Sequence, residues 1–266
     1  MPYLERDGRR LYVEEAGAGD PPLLLVHGWM GDHTHSAPQF GHSSRRHRVA
    51  SPDLCGHGLS DRGGAHTIET HADDLAWLIG ELALDRPVVI GHSLGGMVAL
   101  QLAADRPEAV GALVLLDTIL FLDRLSSDVD LGPLLERMRG PRRETVIRET
   151  VEGLFGPHDD PVRRAALTEE MMGTDLDVCA DEVESMLAWD GQRLLRACST
   201  PVLAITAKSG SRSDPSELVG QLPNLVVAQV VGAGKFLQLE VPDQVNAMTE
   251  RFLELVRTGA LAVGQK

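Results

Sequence analysis

A serine framed by glycines in Gly91-His92-Ser93-Leu94-Gly95 has the spacing that nucleophilic chemistry requires. A hydroxyl is a weak nucleophile until it stands clear of the backbone and an adjacent group activates it. A sharp strand-to-helix turn meets the first need. It pushes Oγ out of the sheet and leaves the unpaired N–H groups of the following helix beneath it. Side chains two positions either side of the serine would crowd such a turn, which explains the glycines. The five-residue pattern arises by chance in about one chain in seven of this composition, so its flanks decide its meaning. Pro87-Val88-Val89-Ile90 reads as a short buried strand, and residues 97–105, rich in Ala and Leu, as a helix. With both flanks present, Ser93 reads as a nucleophile rather than an incidental serine in a glycine-rich turn.

The elements that must position it follow one rhythm. Strands are expected over 9–15, 23–26, 49–53, 87–90, 112–117, 201–206 and 225–231, with amphipathic helices over 69–82 and 242–257. Continuous apolar runs such as Leu23-Leu24-Leu25-Val26 are typical of parallel strands buried on both faces. The alternation implies an α/β fold, with a mostly parallel central sheet and helices on both faces. Between residues 118 and 197 the strands stop. That stretch has helical periodicity, much charge and Met138, Met171, Met172 and Met186, and reads as a helical insertion. The expected core is therefore 1–117 and 198–266. The methionines read as core and pocket lining.

Three segments in order, Leu25-Val26-His27-Gly28-Trp29, Pro52-Asp53-Leu54-Cys55-Gly56-His57-Gly58-Leu59-Ser60-Asp61 and the Ser93 turn, closely resemble the α/β-hydrolase superfamily. The resemblance covers nearly the whole chain and implies that 118–197 is a helical cap. It also implies an oxyanion hole from the backbone N–H groups of Trp29 and Leu94. His27, His57 and His92 fall at family loop or packing positions. The family's catalytic histidine usually follows the last strand, but this chain has Gly234-Lys235-Phe236 there, and no histidine follows His158. Lys235 thus stands at the histidine position, as an altered residue, as a base in a Ser–Lys arrangement, or as the mark of lost hydrolysis. The acid is Asp117, at the end of its strand, or Asp214, the only carboxylate between residues 207 and 215. The implied activity is cleavage of an ester, lactone or related acyl bond of a small apolar molecule. Cofactor-independent ring-cleaving dioxygenase or lyase-like chemistry on the same fold, and a non-catalytic ligand-binding protein, are the alternatives.

Composition narrows the partners. A net charge of −14 argues against nucleic acid and anionic membrane surfaces. No apolar stretch reaches the length of a membrane span. Cys55, Cys179 and Cys198 are odd in number and scattered, which suggests free thiols and a cytoplasmic setting. His27, Asp32, His33 and His35 cluster in sequence but match no metal-ligand spacing, so an exposed polar loop is expected there and neither metal nor cofactor. The sequence leaves the oligomeric state open.

Overall fold

The computed structural model describes residues 2–120, 131–156, 159–207 and 215–261. The apolar runs form the middle of an eight-stranded sheet in the order β1-β2-β4-β3-β5-β6-β7-β8. Strands β3 (Leu23–Val26), β4 (Val49–Pro52), β5 (Val88–His92), β6 (Ala112–Leu116) and β7 (Val202–Thr206) are buried at every position. These five are mutually parallel where they pair, and β8 (Leu225–Gln229) extends them at one edge. Strands buried on both faces need two covering layers. Helices α2 (Ile68–Glu81) and α3 (Leu94–Asp105) supply one, through residues such as Leu75, Leu78 and Leu100. The other comes from α1 (Ala37–Ser43), α9 (Leu237–Glu240) and α10 (Pro242–Arg257), with Phe40, Leu237, Val245 and Phe252 against the sheet.

Two elements differ from the sequence expectation. Residues 3–6 form strand β1 (Tyr3–Arg6), which pairs antiparallel with β2 (Arg9–Ala16) across Asp7-Gly8, both at positive φ. Its four residues are mostly half-buried at the sheet edge, so they lack the apolar run that marks an inner strand. Helix α1 falls in a stretch that reads as polar. It starts with a proline in its first turn, where the missing N–H costs nothing.

Between β6 and β7 the described residues form helices α4 (Leu131–Met138), α5 (Arg143–Glu152), α6 (Pro161–Met171), α7 (Leu176–Ala188) and α8 (Gly191–Ala197). Helix α8 packs on α3, where the Trp189 indole N–H just before it donates to Gln101 Oε1 at 3.0 Å.

Candidate active site

The register of the parallel strands brings the site together. His92 on β5 pairs with Leu116 on β6, so Ser93 and Asp117 leave adjacent strands at the same level. The Ser93 N–H donates to the Leu116 carbonyl, and the Asp117 N–H to the Ile205 carbonyl, both at 2.9 Å. Ser93 has φ +51° and Asp117 φ +43°, in the left-handed region that side chains with a Cβ avoid. A Cβ on Gly91 would overlap the Gly95 carbonyl, and one on Gly95 would overlap the carbonyls of Val26 and His27. The two glycines let the Ser93 turn close against itself and against the end of β3. Helix α3 begins at Leu94, whose N–H therefore has no acceptor within the helix.

Lys235 reaches the same place from the far side of the sequence. Its Nζ donates to the Asp117 carbonyl at 2.7 Å and to Asp117 Oδ2 at 2.9 Å, and both side chains are largely shielded from water. Among the described residues, Asp117 is thus a carboxylate in contact with position 235. Asp214 lies outside the described residues. Two groups hold the Lys235 backbone. His92 Nε2–H donates to the Lys235 carbonyl at 2.9 Å, and Glu240 accepts the N–H groups of Gly234 at 2.9 Å and Phe236 at 3.1 Å. Burial and the neighbouring Lys235 charge push the His92 imidazole down to about 3, so it is neutral and serves as a backbone tie.

These residues floor a cavity of about 260 Å³. Trp29, His92, Ser93 and Lys235 form its polar end. Leu154, Met171, Val183, Met186 and Leu187 of the helical insertion supply most of its apolar wall. The methionines of the insertion thus divide, with Met171 and Met186 on the cavity and Met138 buried.

The histidines near the site are structural in their contacts. His27 is buried, accepts the Leu54 N–H on Nε2 at 3.0 Å and donates from Nδ1 to the Gly28 carbonyl at 2.9 Å. Burial, with the His57 charge nearby, holds it well below the usual imidazole range. The stretch from His27 to His35 is not the exposed loop expected from its polarity, because His27 and His35 are both buried. Asp32, His33 and Asp53 place ligand atoms within 4.8 Å of one another. The Asp53 oxygens are nevertheless already engaged, by the His33 N–H at 2.7 Å, His33 Nδ1 at 2.8 Å and the Leu59 N–H at 2.8 Å. That trio clasps two loops.

Sequence reasoning missed a buried carboxylate. Glu182 on α7 is fully enclosed, with Oε1 2.9 Å from His71 Nε2 and Oε2 3.4 Å from His57 Nε2. Burial alone would raise its carboxyl, but the two histidines outweigh burial and bring it down to about 2. Burial likewise opposes charge on His57, and Glu182 reverses that, leaving the imidazole raised.

All three cysteines are buried free thiols, and among the described residues no helix is long and apolar enough to cross a membrane.

Comparison with known proteins matches this architecture. The family model described as alpha/beta hydrolase fold matches residues 21–226. Lipase LipV of Mycobacterium tuberculosis is 34% identical over 165 residues, 61% of this chain and 62% of LipV. The chain thus spans a little under two thirds of that relative's length. The structure of a thermophilic esterase from Thermogutta terrifontis superposes with a TM-score of 0.82 at 27% identity, covering 96% of this chain and 97% of the esterase. The enol-lactonase from Burkholderia xenovorans shares the fold, with a TM-score of 0.81 at 22% identity, over 95% of this chain and 100% of the lactonase.

Proposed function

The chain belongs to the alpha/beta hydrolase fold family, and from that membership we propose that it cleaves ester, lactone or related acyl bonds of small, largely apolar molecules. The observation that carries this reading is Ser93, held at φ +51° on a strand-to-helix turn at the floor of an apolar cavity of about 260 Å³. Lipase, esterase and lactonase activities among the similar proteins support it. The helical insertion acts as the cap that holds the substrate's apolar part.

In the reaction, Ser93 Oγ bonds to the acyl carbon and the carbonyl electrons move to oxygen. The N–H groups of Trp29 and Leu94 receive that negative oxygen, and such donors act by being oriented in advance. The serine proton passes through solvent to the leaving alkoxide as the acyl C–O bond breaks, and water then attacks the acyl-serine, releasing the acid and returning a proton to Ser93. Lys235 Nζ turns its donors to the Asp117 carbonyl and carboxylate rather than offering an acceptor to the Ser93 proton. Turnover is therefore slow, carried by the oxyanion hole and by binding. The chemistry needs no cofactor and no macromolecular partner.

The Lys235–Asp117 ion pair also favours a second reading, in which the cavity binds its ligand without cleaving it. A fluorophosphonate separates the two. Covalent labelling that disappears in Ser93→Ala, with the fold retained, supports the hydrolase. An inert Ser93 in a protein that binds small apolar esters supports the binder.

A further inference from the structure

The turn after β3 is gripped from outside the core. Gly28-Trp29-Met30-Gly31 closes through the Gly31 N–H, which donates to the Gly28 carbonyl at 3.0 Å, and buried Met30 sits in it at φ +56°. A side chain held in the left-handed region costs of order 1 kcal/mol or more and persists only where its surroundings over-determine it. Here part of those surroundings is the helical insertion. The Trp29 indole N–H donates to the Cys179 carbonyl on α7 at 3.1 Å. Thr174, just ahead of α7, donates from Oγ1 to the Met30 carbonyl at 3.4 Å. Glu170 at the end of α6 accepts from Thr34 Oγ1 at 3.2 Å and lies 3.0 Å from His35 Nε2.

Helix α7 is itself fastened to the core. Glu182 meets His71 and His57, and Ser185 Oγ accepts the Ile68 N–H at the start of α2 at 2.9 Å. On the same helix Val183, Met186 and Leu187 line the cavity. One helix therefore carries the anchor in the core, the grip on the Trp29 turn and part of the substrate wall.

We propose that Glu182 and the Trp29 indole are positioning residues for the oxyanion hole: Glu182 seats α7, and the indole hands that seating to the Trp29 backbone N–H, the donor assigned to the hole above. This rests on the reading of Ser93 as nucleophile and the Trp29 N–H as oxyanion donor. A substrate's apolar chain, packing on Val183, Met186 and Leu187, presses on the helix that holds the hole. Binding energy from the remote chain then appears in the rate and not only in affinity.

The probes are methyl and hexyl alkylfluorophosphonates. Their reaction joins Ser93 Oγ to phosphorus, breaks P–F, releases fluoride and passes the serine proton to solvent. The phosphoryl oxygen occupies the hole, so kinact reports the hole and KI reports the cavity. In the parent, kinact should be higher for the hexyl than for the methyl probe. Trp29→Phe, which keeps an aromatic ring and removes the N–H, and Glu182→Gln, which keeps the shape, should each lower the hexyl kinact at least tenfold. Both should also erase the chain-length advantage, with KI changing less than about threefold; full loss of an oxyanion donor costs ~10²–10³. Thr174→Val, which removes only the bond to Met30, should lower kinact in the same direction and decides the matter if Trp29→Phe does not fold. A merely structural role would lower the fraction of protein that labels, with kinact of the remainder unchanged, and that result overturns the proposal. So does an unchanged hexyl kinact in folded variants. A parent that does not label, or Ser93→Ala that labels at the parental rate, overturns the Ser93 reading and this proposal with it.

Discussion

Replacing Lys235 with histidine tests the chemistry of the site most directly. Lys235 Nζ spends two donor bonds on Asp117, at 2.7 and 2.9 Å, where an activated serine needs a neighbouring acceptor. A lysine amine in water titrates near ~10.4, leaving roughly one in a thousand unprotonated at neutral pH, and an adjacent carboxylate favours the charged form. The acid that would orient a histidine thus works against a lysine base. Imidazole reverses each point. It is mostly neutral above pH ~6.5, and one ring nitrogen can donate to Asp117 while the other accepts. The backbone at 235 is tied by His92, and the N–H groups on either side of it by Glu240, none of which depends on the residue's side chain.

A positioned general base contributes ~10²–10⁴ in rate, so Lys235→His should accelerate hydrolysis of a p-nitrophenyl ester at least tenfold, or about 1.4 kcal/mol of barrier. The gain should grow as pH rises through the imidazole range and then level off. The assay compares pH–rate profiles of both proteins, with Ser93→Ala as the background. If the histidine variant is no faster than the parent at any pH between 5 and 9, position 235 is not the base position and the argument from Asp117 collapses.

Variants at Asp117, Asp214 and Glu182 extend the test. In the Lys235→His background, Asp117→Asn should forfeit most of the tenfold gain, because the carboxylate that fixes the imidazole tautomer is gone. Asp214→Asn should forfeit little, and the opposite order would move the acid to the later loop. Glu182→Gln should destabilise the fold by ~3–5 kcal/mol in urea unfolding, the cost of breaking a buried pair. The raised His57 pKa stabilises the fold below the ordinary imidazole value and loses that contribution as pH rises through the folded value. The depressed Glu182 pKa contributes above the ordinary carboxyl value and is lost as pH falls towards about 2. Thermal melts should therefore show parental stability falling as pH rises from the ordinary imidazole value through the folded His57 value, with a flatter profile in Glu182→Gln.

What could be read from the sequence divides by the range of the forces involved. The inner strands were legible because burial on both faces leaves a continuous apolar run. The Ser93 turn was legible because its steric limits act within five residues. Strand β1 was not, since a half-exposed edge strand of Tyr-Leu-Glu-Arg carries little pattern. The Lys235–Asp117 pair joins residues 118 positions apart and depends on the register of the central strands, so only the family resemblance pointed to it. Glu182 left a usable sign. Helical spacing puts it on one face with Cys179, Val183 and Met186, an apolar stripe on which a carboxylate must find a partner. The partners, His57 and His71, lie more than a hundred residues away, beyond the reach of any local pattern.

Strain at the site follows the sheet. Met30, Ser93 and Asp117 all take positive φ, and they follow the carboxyl ends of β3, β5 and β6, which are neighbours in that order. The remaining non-glycine positive-φ positions among the described residues, Asp7, Ala83 and Arg86, lie in connections between elements. Left-handed side chains at Met30, Ser93 and Asp117 together cost a few kcal/mol. Three adjacent strands buried at every position can sustain that cost, because their ends cannot relax without breaking the parallel ladder. The ladder holds Ser93 and Asp117 directly, each bonded through its own N–H to a neighbouring strand. Met30 lies four residues past the end of β3, where the ladder no longer holds it. At that distance the grip of Thr174 and Cys179 supplies what the strand cannot, so the sheet holds two of the three strained positions and the helical insertion helps hold the third.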